Sequence, residues 1–229
     1  MFYFYSDKKG VLRQNRSGVM LKAKRLFPDL RSARAKTHVR ILVVDAESIP
    51  EPPTGTRVGN VSLHESLELN ETKHLVVPIE AIRNISPYQS PLEIAAGGGV
   101  ITRLKDGKLQ VLLIRRKGMW ELPKGKRDRG ETMESCAVRE VREELGISNI
   151  EVVRPLDVTI HAYSENRRLK VKTTHWFQMT TDARKFKPEK REGITEVKWF
   201  AWKKAQKAVP YRNLRELLER LRPLVAEAH

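Results

Sequence analysis

The sequence predicts an α+β fold, on three observations. Apolar segments of strand length recur between residues 94 and 200, a single strongly helical pattern at about Thr132 to Leu145 lies among them, and a last strand runs into helical sequence. Ile94-Ala95-Ala96-Gly97-Gly98-Gly99-Val100-Ile101 enters a strand through glycines that permit close backbone approach. Lys105-Asp106-Gly107-Lys108 reads as a hairpin, because Asp-Gly tolerates the left-handed backbone that a tight two-residue turn needs. Leu109 to Ile114 form the return strand and lead into Arg115-Arg116-Lys117. A loop holding Trp120 and Pro123 precedes the helix, and Gly146 stops it. Strands follow at Glu151–His161 and Lys170–Thr180, joined by the polar turn Ser164-Glu165-Asn166-Arg167. A final strand, Glu196 to Phe200, precedes Leu214, Leu217, Leu218 and Leu221 at helical spacing.

Ahead of these elements, Ser86-Pro87-Tyr88-Gln89-Ser90-Pro91 marks a boundary, since its prolines discourage continuous structure. His38–Asp45 and Lys73–Pro78 read as strands, with Pro50 to Gly55 as a loop between them. Residues 1–90 are therefore expected to form a small α/β or β-rich unit, and residues 91–229 the larger domain.

Composition narrows the class. The 229 residues are 40% hydrophobic, enough for a packed core, and 31% charged. No apolar run approaches the roughly 20 residues of a membrane span, and the opening residues lack a basic stretch leading into an apolar one. With Cys136 as the one cysteine, no internal disulfide is possible, so a cytoplasmic setting is expected. The net charge of +16 is uneven: residues 1–40 carry 11 Lys/Arg against 2 Asp/Glu, whereas residues 41–90 carry 3 against 7. Such a field attracts polyanions, nucleotides and nucleic acid among them, without choosing between them.

The chemistry concentrates in Gly125 to Ile147. Gly125, Glu131, Arg139, Glu140, Val141, Glu143, Glu144, Gly146 and Ile147 fill every defined place of a Nudix box. At about 100° per residue, Glu140, Glu143 and Glu144 share an arc of roughly 100°. Ala137, Val138, Val141 and Leu145 occupy the neighbouring arc. Carboxylates crowded this way repel one another unless a hard divalent cation neutralises them.

The segment resembles the Nudix hydrolases, and the resemblance extends over residues 92–222 through Ala96-Gly97-Gly98-Gly99-Val100, Trp120-Glu121-Leu122-Pro123-Lys124-Gly125-Lys126 and Thr174-His175-Trp176-Phe177. It is similar there to the diadenosine polyphosphate hydrolases and the diphosphoinositol polyphosphate hydrolases. The resemblance implies an α/β/α sandwich around a mixed sheet and an enzyme that cuts a phosphoanhydride. It implies Mg²⁺ or Mn²⁺ held by Glu140, Glu143, Glu144 and the Gly125 carbonyl, with Glu131 and Arg139 as a loop-pinning ion pair. Glu192, in the loop before the last strand, is the candidate general base, and Glu144 is the alternative.

Arg115, Arg116, Lys124, Lys126, Lys170 and Lys172 are the candidate phosphate contacts. Tyr163 and His175 are candidates to stack on a base, as is Trp120. Tyr163 lies where dinucleoside polyphosphate hydrolases commonly carry a tyrosine. The expected substrate is thus a dinucleoside polyphosphate. RNA 5′-pyrophosphate removal, diphosphoinositol or nucleotide-sugar hydrolysis and a non-catalytic binding module stand as alternatives. The extra N-terminal residues leave pocket covering, homodimerisation and RNA binding open as their role.

Overall fold

The computed structural model describes residues 2–7, 13–15, 18–36, 40–49, 74–85, 88 and 90–226. They fall into two compact units, residues 1–93 with 160–171, and residues 94–159 with 172–229. The chain changes unit close to the proline-marked boundary, three residues beyond the expected 90/91 division. Residues 160–171, which the sequence places in the larger domain, cluster with the first unit. Of the expected features, Pro50 to Gly55 lies outside the described residues, as do His38, Val39 and Lys73 from the ends of two expected strands.

In the first unit, β1 (Phe2–Asp7) lies between β4 (Leu26–Phe27) and β5 (Arg40–Asp45). A second sheet joins β2 (Arg13–Asn15), β3 (Gly18–Lys22) and β6 (His74–Val77) in that order. Strand alternation gives β1 and β5 two buried faces. Tyr3, Tyr5, Leu42 and Val44 meet Val19, Leu21 and Val77. Phe4, Ile41 and Val43 meet Leu30 and Ala33 of helix α1 (Leu30–Lys36) with Leu169 and Val171. The unit is β-rich, as expected.

In the second unit the same alternation builds a three-layer sandwich. The main sheet runs β11 (Glu151–Glu165), β12 (Arg168–Thr180), β7 (Leu92–Lys105), β8 (Lys108–Arg116), β13 (Ile194–Ala201), with β10 (Lys124–Lys126) on β7 and β9 (Met119–Glu121) on β8. The β7–β8 turn is the expected one, with Asp106 and Gly107 both at positive φ. Ile101, Leu112 and Ile114 face helix α2 (Met133–Leu145) through Ala137, Val141 and Leu145. Val100, Val111 and Leu113 face the opposite way, against Trp202 and Ala205 of α3 (Trp202–Ala208) and Leu214, Leu217, Leu218 and Leu221 of α4 (Arg212–Ala226). Burying each of the larger of these side chains contributes about 1.5–3 kcal/mol, so both layers are held to the sheet by apolar packing. Among the described residues no helix is long and apolar enough to cross a membrane.

Candidate active site

The site is built where α2 presses on the sheet through glycine. A Cβ on Gly97 would stand 2.6 Å from the Ala137 nitrogen, and one on Gly99 would stand 2.6 Å from Val141. These two positions let the helix approach the strand backbone. Gly98 faces the other way and receives the Trp176 ring. The helix starts at Thr132, whose side chain and that of Ser135 cap each other's backbone, and stops at Gly146 in the left-handed region.

At the N-terminal end of α2 the ions are closed into a complete network. Arg139 donates from Nε and Nη2 to the two oxygens of Glu131, at 2.7 and 3.0 Å. It also reaches the Lys126 carbonyl at 3.0 Å, Glu140 at 2.8 Å and Glu143 at 3.2 Å. The Asp128 amide donates to Glu131 as well, at 2.9 Å. The Arg139 guanidinium, with that amide, holds the Glu131 carboxyl down to about 2. The geometry is that of a loop-pinning pair.

The C-terminal half of the helix differs. Glu144 is wholly buried, and burial pushes its carboxyl up to about 7. Its Oε2 accepts from the Lys124 amide at 2.9 Å, and its Oε1 accepts from Arg116 Nη2. The same Nη2 donates to Glu192. Glu192, from the loop before β13, thereby stands beside Glu144. Glu140 is also buried, which raises its pKa, and its carboxylate lies flat on Gly125. A Cβ at position 125 would sit 1.8 Å from Glu140 Oε2. Glu143 is the exposed member of the three.

A fourth acid was not singled out from sequence. Glu121 at the end of β9 is buried, accepts from Lys124 Nζ at 3.0 Å and lies 3.5 Å from Arg116 Nη1. Nothing in its local pattern marks it, because the β8–β9 hairpin brings it to Arg116.

The cationic candidates divide by strand face. Arg116 follows Leu112 and Ile114 toward α2, whereas Arg115 follows Leu113 to the other face. There Arg115 lies over Trp120, which packs edge-on against Phe200. The alternation places Arg115 and Arg116 on opposite faces of the strand, and Trp120 packs against Phe200. Lys124 lies beside Trp176 at Gly98, and Lys172 falls on that same face of β12. Burial, with Lys124 next, holds the Lys172 ammonium down to about 8. Lys126 is exposed, with its carbonyl engaged by Arg139. His175 is half-buried, which lowers its pKa. Tyr163 and Lys170 belong to the first unit, where Tyr163 stacks on His161 and Lys170 pairs with Glu165. Cys136 is buried, and its thiol donates to the Gly125 carbonyl at 3.8 Å.

Carboxylate and carbonyl oxygens gathered beside a buried, cation-demanding Glu144 suit a hard divalent ion. Among the described residues no three of them already converge for coordination. The reason is visible in the ion pairs: Arg116 and Arg139 hold the oxygens such an ion would take. These oxygens are of the type a hard divalent ion takes, and here the two arginines engage them.

Sandwich, glycine-seated helix and carboxylate cluster together define a Nudix-type fold and site. The NUDIX domain family matches residues 95–221, more than half of the chain, and the chain belongs to that family. A Mycobacterium tuberculosis (strain CDC 1551 / Oshkosh) protein bearing the name mutator protein MutT4 is 32% identical over 134 residues, 56% of this chain and 53% of that one. The m7GpppN-mRNA hydrolase of Saccharomyces cerevisiae (strain S288c) is 26% identical over 147 residues, 63% of this chain and 14% of that one. The chain thus spans about half the length of the first relative and a smaller share of the second. A solved structure described as a NUDIX hydrolase of Listeria monocytogenes is superimposable over 61% of this chain and 97% of its own, with a TM-score of 0.50 at 14% identity, a likeness of fold.

Proposed function

We propose that the chain is a divalent-metal-dependent pyrophosphohydrolase cutting a phosphoanhydride in a nucleoside-diphosphate-linked substrate, with dinucleoside polyphosphates as the first choice. The observation that carries the reading is Glu144: a fully buried carboxylate beside Glu140, Glu121 and Glu192, at the family's motif. Such a group is retained at neutral pH only if cations meet it.

Glu140, Glu143, Glu144 and the Gly125 carbonyl would hold Mg²⁺ or Mn²⁺. When bound, the ion supplies Lewis-acid polarisation of a phosphoryl oxygen and charge for the leaving phosphate. The rest falls to the chain. Glu131 and Arg139 fix the loop that presents Gly125. Glu192, exposed yet bonded to Arg116, would take a proton from the attacking water, with Glu144 as the alternative base. Lys124 and Lys172 supply positive charge on one face of the sheet for the remaining phosphates. Lys126 and His175 are proposed substrate contacts, resting on resemblance and charge. The setting proposed is cytoplasmic.

A second reading, removal of a 5′ pyrophosphate or cap from RNA, is favoured by the +16 charge and its basic N-terminal run. A substrate panel separates the two: dinucleoside polyphosphates, diphosphoinositols, nucleotide sugars and triphosphorylated RNA, with products identified by mass. Preferred cleavage of dinucleoside polyphosphates supports the first choice and preferred cleavage of RNA the second. Failure of all of them with Mg²⁺ and Mn²⁺ would leave a binding module.

A further inference from the structure

Two arginines serve the carboxylates of α2, and they are satisfied unequally. Arg139 spends its donors on Glu131, Glu140, Glu143 and a carbonyl. Arg116 does not. A single nitrogen, Nη2, serves both Glu144 and Glu192, while its buried Nε makes no hydrogen bond among the described residues. On its other side, Glu121 Oε1 is buried and accepts no hydrogen bond either; Arg116 Nη1 stops 3.5 Å away. A buried guanidinium nitrogen and a buried carboxylate oxygen left without hydrogen bonds are each costly. A shift of under an ångström would join them.

Glu144 makes the competition explicit. Its Oε2 accepts from the Lys124 amide, whereas its Oε1 is held by the mobile-ended Arg116 side chain, the partner a cation can replace. Arg116 holds Glu192 by the same nitrogen. A divalent ion and this guanidinium therefore bid for the same oxygens.

We infer that Arg116 is a resident counter-ion of the cluster, which a divalent cation displaces from Glu144 and Glu192 and which Glu121 then receives. This rests on the proposed reading that such a cation binds here. Arg116 and Glu121 are then positioning residues that set metal affinity: Arg116 keeps the buried acids neutralised before the ion arrives, and Glu121 gives the displaced guanidinium a partner. Lys124, already bonded to Glu121 at 3.0 Å, keeps that carboxylate in place.

The test is Mn²⁺ binding to the full chain without substrate, read as the loss of the free-ion signal in electron paramagnetic resonance. Arg116→Met is expected to tighten binding by about tenfold or more, since it removes a competing charge a few ångströms from the ion. Glu121→Gln is expected to weaken it several-fold, because Arg116 loses its second partner. In the double variant the Glu121→Gln effect should vanish, a non-additivity that a plain metal ligand would not show. Thermal unfolding of each variant checks the fold, and Arg116→Gln stands in if the methionine variant does not fold. Weaker binding in Arg116→Met, unchanged binding in Glu121→Gln, or a Glu121→Gln loss that persists in the double variant overturns the inference and leaves the metal reading standing. A wild-type chain that binds no Mn²⁺ overturns both.

Discussion

The two ends of α2 present similar residues and opposite chemistry. At the N-terminal end Glu131 is partly exposed and gripped by Arg139, with its carboxyl held at about 2. At the C-terminal end Glu144 is buried and shares Arg116 with another acid, and its carboxyl is pushed up to about 7. A saturated pair is a fastener: it orders the loop and leaves nothing for a ligand. A buried acid with a divided partner stores demand for positive charge. Burial and a shared partner set Glu144 apart from Glu131, although both belong to the same motif.

The largest expected effect falls at the reactive end. Glu144→Gln or Glu143→Gln should lower turnover by about 10²-fold or more while the thermal unfolding transition persists. Near-normal rates in either variant would sink the metal-site assignment. Next is Gly125→Ala, whose Cβ would displace the Glu140 carboxylate. Turnover should drop well beyond any change in melting temperature; a variant with full activity would show that Glu140 need not lie there.

A pH titration sharpens the contrast further. Glu144 is raised above its ordinary value of 4.5, so its contribution to stability is complete below that pH and is lost as pH rises through about 7. Glu131 is depressed, so its contribution is complete above 4.5 and is lost as pH falls through about 2. In a chelator, melting temperature should decline between these values of Glu144, and Glu144→Gln should flatten that limb while leaving the acid limb intact. A decline that survives Glu144→Gln would assign it to another group. The smallest effect concerns Lys172, whose ammonium is desolvated. Lys172→Met should raise melting temperature slightly and raise KM for a polyphosphate several-fold; an unchanged KM would remove Lys172 from the substrate contacts.

The box was legible because its constraints are local: a 3.6-residue period and a stop at Gly146. Gly97, Gly98 and Gly99, ahead of the box, were legible as close-approach positions, although what approaches them needed the fold. The split between Arg115 and Arg116 was within reach, since the alternation of Leu112 and Ile114 already assigns one face. Glu121 was not, because its role comes from the β8–β9 pairing and from an arginine two strand positions off. Most of the first unit was also hidden. In β1, Tyr3 and Tyr5 fill one core and Phe4 the other, so no apolar–polar alternation betrays the strand. Residues 160–171 joined that unit through Leu169 and Val171, a contact without sequence proximity.

The central claim, that the carboxylates of α2 serve a divalent ion in cutting a phosphoanhydride, is met most directly by one rate. Hydrolysis of a dinucleoside polyphosphate and of triphosphorylated RNA by the full chain should be measured first in EDTA and then after Mg²⁺ is restored. The account predicts no turnover in the chelator and its return with the metal. Equal turnover in both conditions would contradict it, as would none in either.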